Sequence, residues 1–265
     1  MKLSAYIGGI GILGPGFDNW PQAAAILSGR QPYRSAPTGL PIPGMLPPAE
    51  RRRTGRVVKL ALGIALEAAS NTEADATQIP SVFSSSGSDG HICHEICQAL
   101  ALSSREVSPT RFSNSVHNVA AGYWSIATGS MAEANVLCAF DASFVAGLLD
   151  ALAQTAVDQQ AVLLVAYDTE YPPPLHAKRP IPDAFGVAMV LTPERISSSM
   201  AKIDLVLTDE NADAMQDAEL EALRGAIPAA RSLPLLRLLA MGAPGRTILD
   251  YLDVSRAAVQ VQPCF

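Results

Sequence analysis

Charge is scarce in this chain of 265 residues: 17% are Asp, Glu, Lys or Arg, and aromatic residues reach only 6%. Apolar residues make up 49%, which excludes a disordered polyelectrolyte and leaves ample side chains for a core. The charge present leans acidic, 25 residues against 19, for a net −6. A duplex nucleic-acid binder neutralises many phosphates with Lys and Arg, so this balance argues against that role. Long apolar runs are missing as well. Strictly apolar stretches such as Ala161 to Ala166 fall far short of the roughly 20 residues that cross a bilayer, and no membrane span is expected. Only four cysteines occur, Cys93, Cys97, Cys138 and Cys264, without framework spacing, so free thiols of a reducing compartment are expected. Lys2 ahead of Leu3 to Leu13 resembles a secretory leader, but Gly8, Gly9, Gly11 and Gly14 break the run and no prompt small-x-small cleavage site follows. The segment reads as a strand and turn, and the protein as cytoplasmic.

Apolar periodicity predicts a strand over residues 3–12 and a helix over Trp20 to Leu27, with Pro21 suited to its first turn. Six prolines between 31 and 48 mark a loop. Helical spacing returns from Glu50 to Ser70, where Val57, Val58, Leu60, Leu62, Ile64 and Leu66 give a wide apolar face. A short strand, Ser81 to Ser85, precedes a helix from His91 to Leu102, and another helix is expected over Val116 to Thr128. Strand Ala134 to Phe140, helix Ala142 to Ala156 and strand Ala161 to Tyr167 form a βαβ unit, the signature of a parallel sheet. Phe185 to Leu191 and Lys202 to Leu207 read as strands that could neighbour each other. Asp209 to Glu221 holds six acids and no base, and so reads as a solvated loop and helix face, and a last strand covers Ala258 to Val261.

Several constellations carry possible chemistry. Gly9, Gly11 and Gly14 satisfy the G-x-G-x-x-G pattern of dinucleotide sites, yet Pro15, Gly16 and Asp18 delay any helix and no acid follows at the distance a ribose needs, so no cofactor is expected. His91, Cys93, His94 and Cys97 crowd two His and two Cys into seven residues. A structural zinc site draws its second ligand pair from elsewhere, so a helix carrying buried cysteines is the plainer reading and no metal is expected. Arg51, Arg52, Arg53, Arg56 and Lys59 concentrate five bases on nine residues, either a solvated helix start or a docking patch for an acidic partner. A strand-to-helix turn falls at Asp141, the kind of position where Ser and Cys nucleophiles meet the helix dipole. An aspartate there is a good helix cap and a poor acyl acceptor.

Three segments resemble the N-terminal half of a β-ketoacyl synthase, a thiolase-fold condensing enzyme. Residues 6–29, YIGGIGILGPGFDNWPQAAAILSG, resemble that family's opening "ITGIGVVSPLG…W..L..G" strand and helix. Residues 49–69, AERRRTGRVVKLALGIALEAA, resemble its "E.RR.DR…LAL.AA.EA" helix. Residues 107–151, VSPTRFSNSVHNVAAGYWSIATGSMAEANVLCAFDASFVAGLLDA, resemble its dimer-forming helix and nucleophile elbow. The resemblance implies an α/β, truncated thiolase-like fold with a mostly parallel sheet flanked by helices. It assigns residues 1–192 to a ketosynthase N-terminal-like domain and 193–265 to a reduced C-terminal remnant on the same core.

On the family pattern ACxSG, Asp141 stands where the acylated cysteine belongs, and Ser143 matches the serine that follows. Cys138 falls three residues early. The resemblance places two catalytic histidines in the C-terminal half, whereas no histidine follows His176 here. It therefore implies no catalytic residue and no self-sufficient condensation. The implied role is that of a chain length factor: a subunit that pairs with a full-length β-ketoacyl-ACP synthase, meets acyl carrier protein transiently and shapes the acyl tunnel in aryl polyene-type fatty acid or polyketide synthesis. Phe112, Asn114, His117, Ala121 and Trp124 would lie at the interface or tunnel, with Phe112 and Trp124 as gates. His117 reads equally as a polar core or interface residue. Two other readings stay open: acyl transfer or hydrolysis at Asp141 or Cys138, and a stand-alone carrier-binding module that docks through Arg51 to Lys59.

Overall fold

A computed structural model describes residues 2–264 as one eight-stranded sheet between helices. In chain order the elements are β1 (Lys2–Leu13), α1 (Trp20–Leu27), α2 (Pro48–Arg51), α3 (Arg56–Ser70), β2 (Ser81–Ser84), α4 (Gly90–Ala101), α5 (Pro109–Asn114), α6 (Val119–Thr128), β3 (Ala134–Leu137), α7 (Ser143–Asp158), β4 (Val162–Asp168), β5 (Phe185–Thr192), β6 (Ala201–Thr208), α8 (Ala218–Ala226), α9 (Leu233–Met241), β7 (Gly245–Asp250) and β8 (Arg256–Pro263). Spatial order across the sheet is β3-β2-β4-β5-β1-β6-β8-β7.

The βαβ unit is present, with β3 and β4 both parallel to β2 between them and α7 as the crossover. Every other pairing is antiparallel. The sheet is thus mixed rather than mostly parallel. Parallel neighbours need a crossover, which the helices between β2, β3 and β4 supply, whereas β5 follows β4 through residues 169–184 and pairs with it antiparallel. The strands over 185–192 and 201–208 are not neighbours: β1 lies between them, so residues before and after 192 share one sheet.

Alternation along β4 explains the layers. Val162, Leu164 and Ala166 pack with α7, α1 and the 228–236 segment, while Leu163, Val165 and Tyr167 pack with α3 and α6. Both faces are buried there, so the strand reads as a continuous apolar run. β6 differs: Ala201, Ile203 and Leu205 are buried, whereas Lys202, Asp204 and Val206 are half-exposed, because α3 and α6 do not extend over that end.

The Gly-rich stretch lies within β1, where a Cβ on Gly9 or Gly11 would stand 2.2 or 2.1 Å from the Ala68 or Ile64 carbonyl oxygen. These glycines let β1 and α3 approach backbone to backbone. The helix expected over Glu50–Ser70 divides at Arg52–Gly55 into α2 and α3, and the one expected from Val116 starts at Val119 after the separate α5. Asp209–Glu221 is a loop leading into α8, as expected. Asp217 caps the helix by accepting from the Glu219 and Leu220 amides, and Glu221 pairs with Arg224 at 2.6 Å.

Candidate functional site

The sharpest local feature is the turn from β3 into α7. Phe140 sits at φ +52°, in the left-handed region that costs a non-glycine residue roughly 1–2 kcal/mol. Ser143 braces the turn by accepting from the Ala139 amide at 3.0 Å and donating to the Phe140 carbonyl at 2.7 Å. By backbone geometry the apex is therefore Phe140, one residue before the Asp141 position drawn from ACxSG. Neither side chain is an acyl acceptor comparable to a thiolate.

Asp141 does not cap α7, contrary to the sequence-based expectation. Its carboxylate meets Arg179 Nη2 at 2.5 Å and Arg231 Nη2 at 3.1 Å, and Arg231 Nη1 donates to the Asp141 main-chain carbonyl at 3.1 Å. Arg179 also lies over the Phe140 ring, 3.8 Å from its centroid. Two cations on separate segments outcompete helix amides for one carboxylate. The thiol of Cys138, exposed at the strand end, donates to the Ser86 carbonyl at 3.3 Å. No cation is paired with that sulfur among the described residues, so the geometry gives no support to a nucleophilic thiolate.

Beneath the elbow lies a group that sequence reasoning missed. Asp168 closes β4 and is 4% exposed; it accepts from the Ser86 amide (2.8 Å), the Ser86 hydroxyl (2.5 Å) and the Ala229 amide (2.9 Å). Burial pushes its carboxyl up to about 6, against the opposing pull of those donors. The available signal was an acid ending an otherwise apolar strand. His117 Nε2 lies 3.3 Å from Ser85 Oγ, and desolvation lowers its basicity.

The proposed interface residues separate into two groups. Phe112 is 66% exposed on α5, whereas Trp124 is 1% exposed and Ala121 is buried, both packed among the α3 and α6 side chains. Trp124 is thus core in this chain and lines no open channel here. Asn114 is also buried: its amide donates to the Arg53 carbonyl at 2.9 Å, and its oxygen accepts from Tyr123 at 3.4 Å.

Most of the basic cluster is engaged internally. Arg51 donates to the Gly44 and Leu46 carbonyls, Arg53 pairs with Glu50, and Arg56 pairs with Glu170 at 2.6 Å. Among the described residues, no ion pair engages Arg52 or Lys59. The cysteines of α4 are not buried as expected: Cys93 is half-buried and Cys97 exposed, because α4 buries only Gly90 completely.

Exposed apolar side chains gather between residues 100 and 140. Leu102, Phe112, Ile126 and Phe140 are each about half-exposed or more, and Met131 is 96% exposed. Met131 and Phe140 flank β3 in the chain, and β3 has a strand on one side only. The opposite edge is covered at one residue: on β7, Asp213 accepts from the Ile248 amide at 2.9 Å, and its own amide donates to the Ile248 carbonyl at 2.8 Å. Residues 140–158 are long and apolar enough to cross a membrane by composition, but half of that window is buried against the sheet, as in a core helix.

A ketosynthase-type α/β domain whose elbow has Phe140 at its apex and Asp141 next to it is the class that this sheet and turn define. A family model described as the N-terminal domain of β-ketoacyl synthases matches residues 19–241, and the chain belongs to that family. Solved structures share the fold. A ketosynthase (ApeO) in complex with its chain length factor (ApeC) from Xenorhabdus doucetiae matches with a TM-score of 0.73 and 22% identity, over 97% of this chain and 99% of that one. The ishigamide ketosynthase/chain length factor matches at 0.72 and 13%, over 99% and 100%. AntDE:AntF, a type II acyl carrier protein with its ketosynthase bound to the hexaketide, matches at 0.76 and 10%, over the whole of both chains. No curated protein matches the chain.

Proposed function

We propose that this chain is a non-catalytic, chain length factor-like subunit that pairs with a catalytic β-ketoacyl-ACP synthase and shapes its acyl tunnel. The observation that carries the reading is the elbow: on a ketosynthase-family fold, the apex is Phe140 and the next residue, Asp141, is held by two arginines. A condensing enzyme needs an acyl acceptor at that turn. The asymmetry of the sheet supports pairing. An open β3 edge with exposed Met131 and Phe140 favours a neighbour there, and the Asp213 bonds at Ile248 make β7 the less open edge.

On this reading the pair works in the cytoplasm on carrier-bound chains of the aryl polyene or a related fatty acid and polyketide type. The carrier protein visits transiently and docks chiefly on the catalytic partner, since Arg51, Arg53 and Arg56 are already engaged within this chain. Residues 193–265 form a reduced C-terminal remnant packed on the same core. The tunnel-facing contribution comes from Phe112 rather than from the enclosed Trp124.

The test is co-purification with a ketosynthase from the same organism that carries the nucleophilic cysteine and both histidines. The wild-type chain is expected to co-elute at one to one, and Met131→Glu and Phe112→Glu to lose the partner while remaining folded. Acyl transfer to the isolated chain, with a covalent adduct on Cys138 or Asp141, would overturn the proposal.

A further inference from the structure

We infer that the elbow contains a preformed carboxylate-binding site, built by Arg179 and Arg231 and filled in cis by the side chain of Asp141. The two guanidiniums come from different segments, the 175–179 turn and the 228–232 turn, and converge on one carboxylate at 2.5 and 3.1 Å.

Both arginines are held by contacts that do not involve the Asp141 carboxylate. Arg231 is anchored through Nη1 to the main-chain carbonyl of residue 141, which any residue at that position supplies. Arg179 is anchored by stacking on Phe140. The cradle therefore outlives its occupant, and preorganisation of this kind is what makes a fork of N–H donors bind carboxylates.

A further detail points to a ligand. Arg179 Nη2 is buried and has no acceptor in hydrogen-bond geometry, although Asp141 Oδ1 is only 2.5 Å away. The contact is an ion pair without an aligned hydrogen bond. An untethered carboxylate can align with both forks. The class of ligand is a small carboxylate, such as acetate or malonate, or the carboxylate end of a longer chain. In the wild-type protein Asp141 excludes it.

The test is thermal unfolding of the full chain in sodium acetate or sodium malonate against sodium chloride at equal ionic strength. Asp141→Ala is expected to unfold at a lower temperature than wild type in chloride and to recover in a saturable way with either carboxylate. Wild type and the double variant Asp141→Ala/Arg179→Ala are expected to show no carboxylate-specific rise. If Asp141→Ala does not fold, Asp141→Ser is measured in the same way and carries the same expectation. A foldable Asp141 variant without a carboxylate-specific rise, or an equal rise in wild type or the double variant, overturns the inference.

Discussion

Asp168→Asn keeps the shape of the buried side chain but removes its ability to titrate. In the wild-type protein the carboxyl is raised from 3.8 to about 6 by burial. A group whose folded pKa lies above its unfolded value contributes stability that is fully present below about 3.8 and is lost as pH rises through about 6. A difference of about two units corresponds to about 3 kcal/mol. Asparagine adds a pH-independent cost of about 1–3 kcal/mol, because its Nδ2 faces the Ala229 amide, a donor against a donor. Urea unfolding of both proteins, followed by tryptophan fluorescence at intervals from pH 4 to pH 8, reads the gap directly, and titrations common to both cancel. Wild type should lead clearly near pH 4, and the lead should shrink by about 2 kcal/mol by pH 7. A gap that stays constant, or widens as pH rises, would refute the reasoning. It would mean that the donors from Ser86 and Ala229 stabilise the ionised form more than burial penalises it.

Gly11→Ala forces a methyl group to within 2.1 Å of the Ile64 carbonyl oxygen and should cost at least about 2–3 kcal/mol in denaturant unfolding. Trp124→Ala empties a core position and should cost about 3–5 kcal/mol, whereas the exposed Phe112→Ala should change stability by no more than about 0.5 kcal/mol. Equal effects of those two would remove the distinction between core and surface drawn for the pair. Asp213→Ala frees the amide of Ile248 on β7, while its carbonyl keeps the main-chain amide of residue 213, so light scattering should report more concentration-dependent association than for wild type.

The strands and helices with regular apolar periods were legible because burial on two faces leaves a plain pattern, as in β4, and burial on one face leaves another, as in α3. Strand neighbours were not. Nothing local to 185–192 or 201–208 reveals that β1 comes between them, since pairing partners are chosen by the whole sheet. The elbow was legible as a turn lacking an acyl acceptor, but its apex was placed one residue late, because backbone dihedrals leave no trace in composition. Asp141 looked like a helix cap since its two arginine partners lie 38 and 90 residues along the chain. Trp124 and Phe112 share an aromatic character that says nothing of which one faces outward; that follows from how α6 rolls onto α3.

The central claim is that this chain works as the inactive member of a pair. Its most direct test is the native mass of the tagged chain purified from its own host, with the partner identified by sequence. A one-to-one complex with a ketosynthase that carries the nucleophilic cysteine and two histidines is the predicted result. A stable monomer or homodimer with no ketosynthase bound would contradict it.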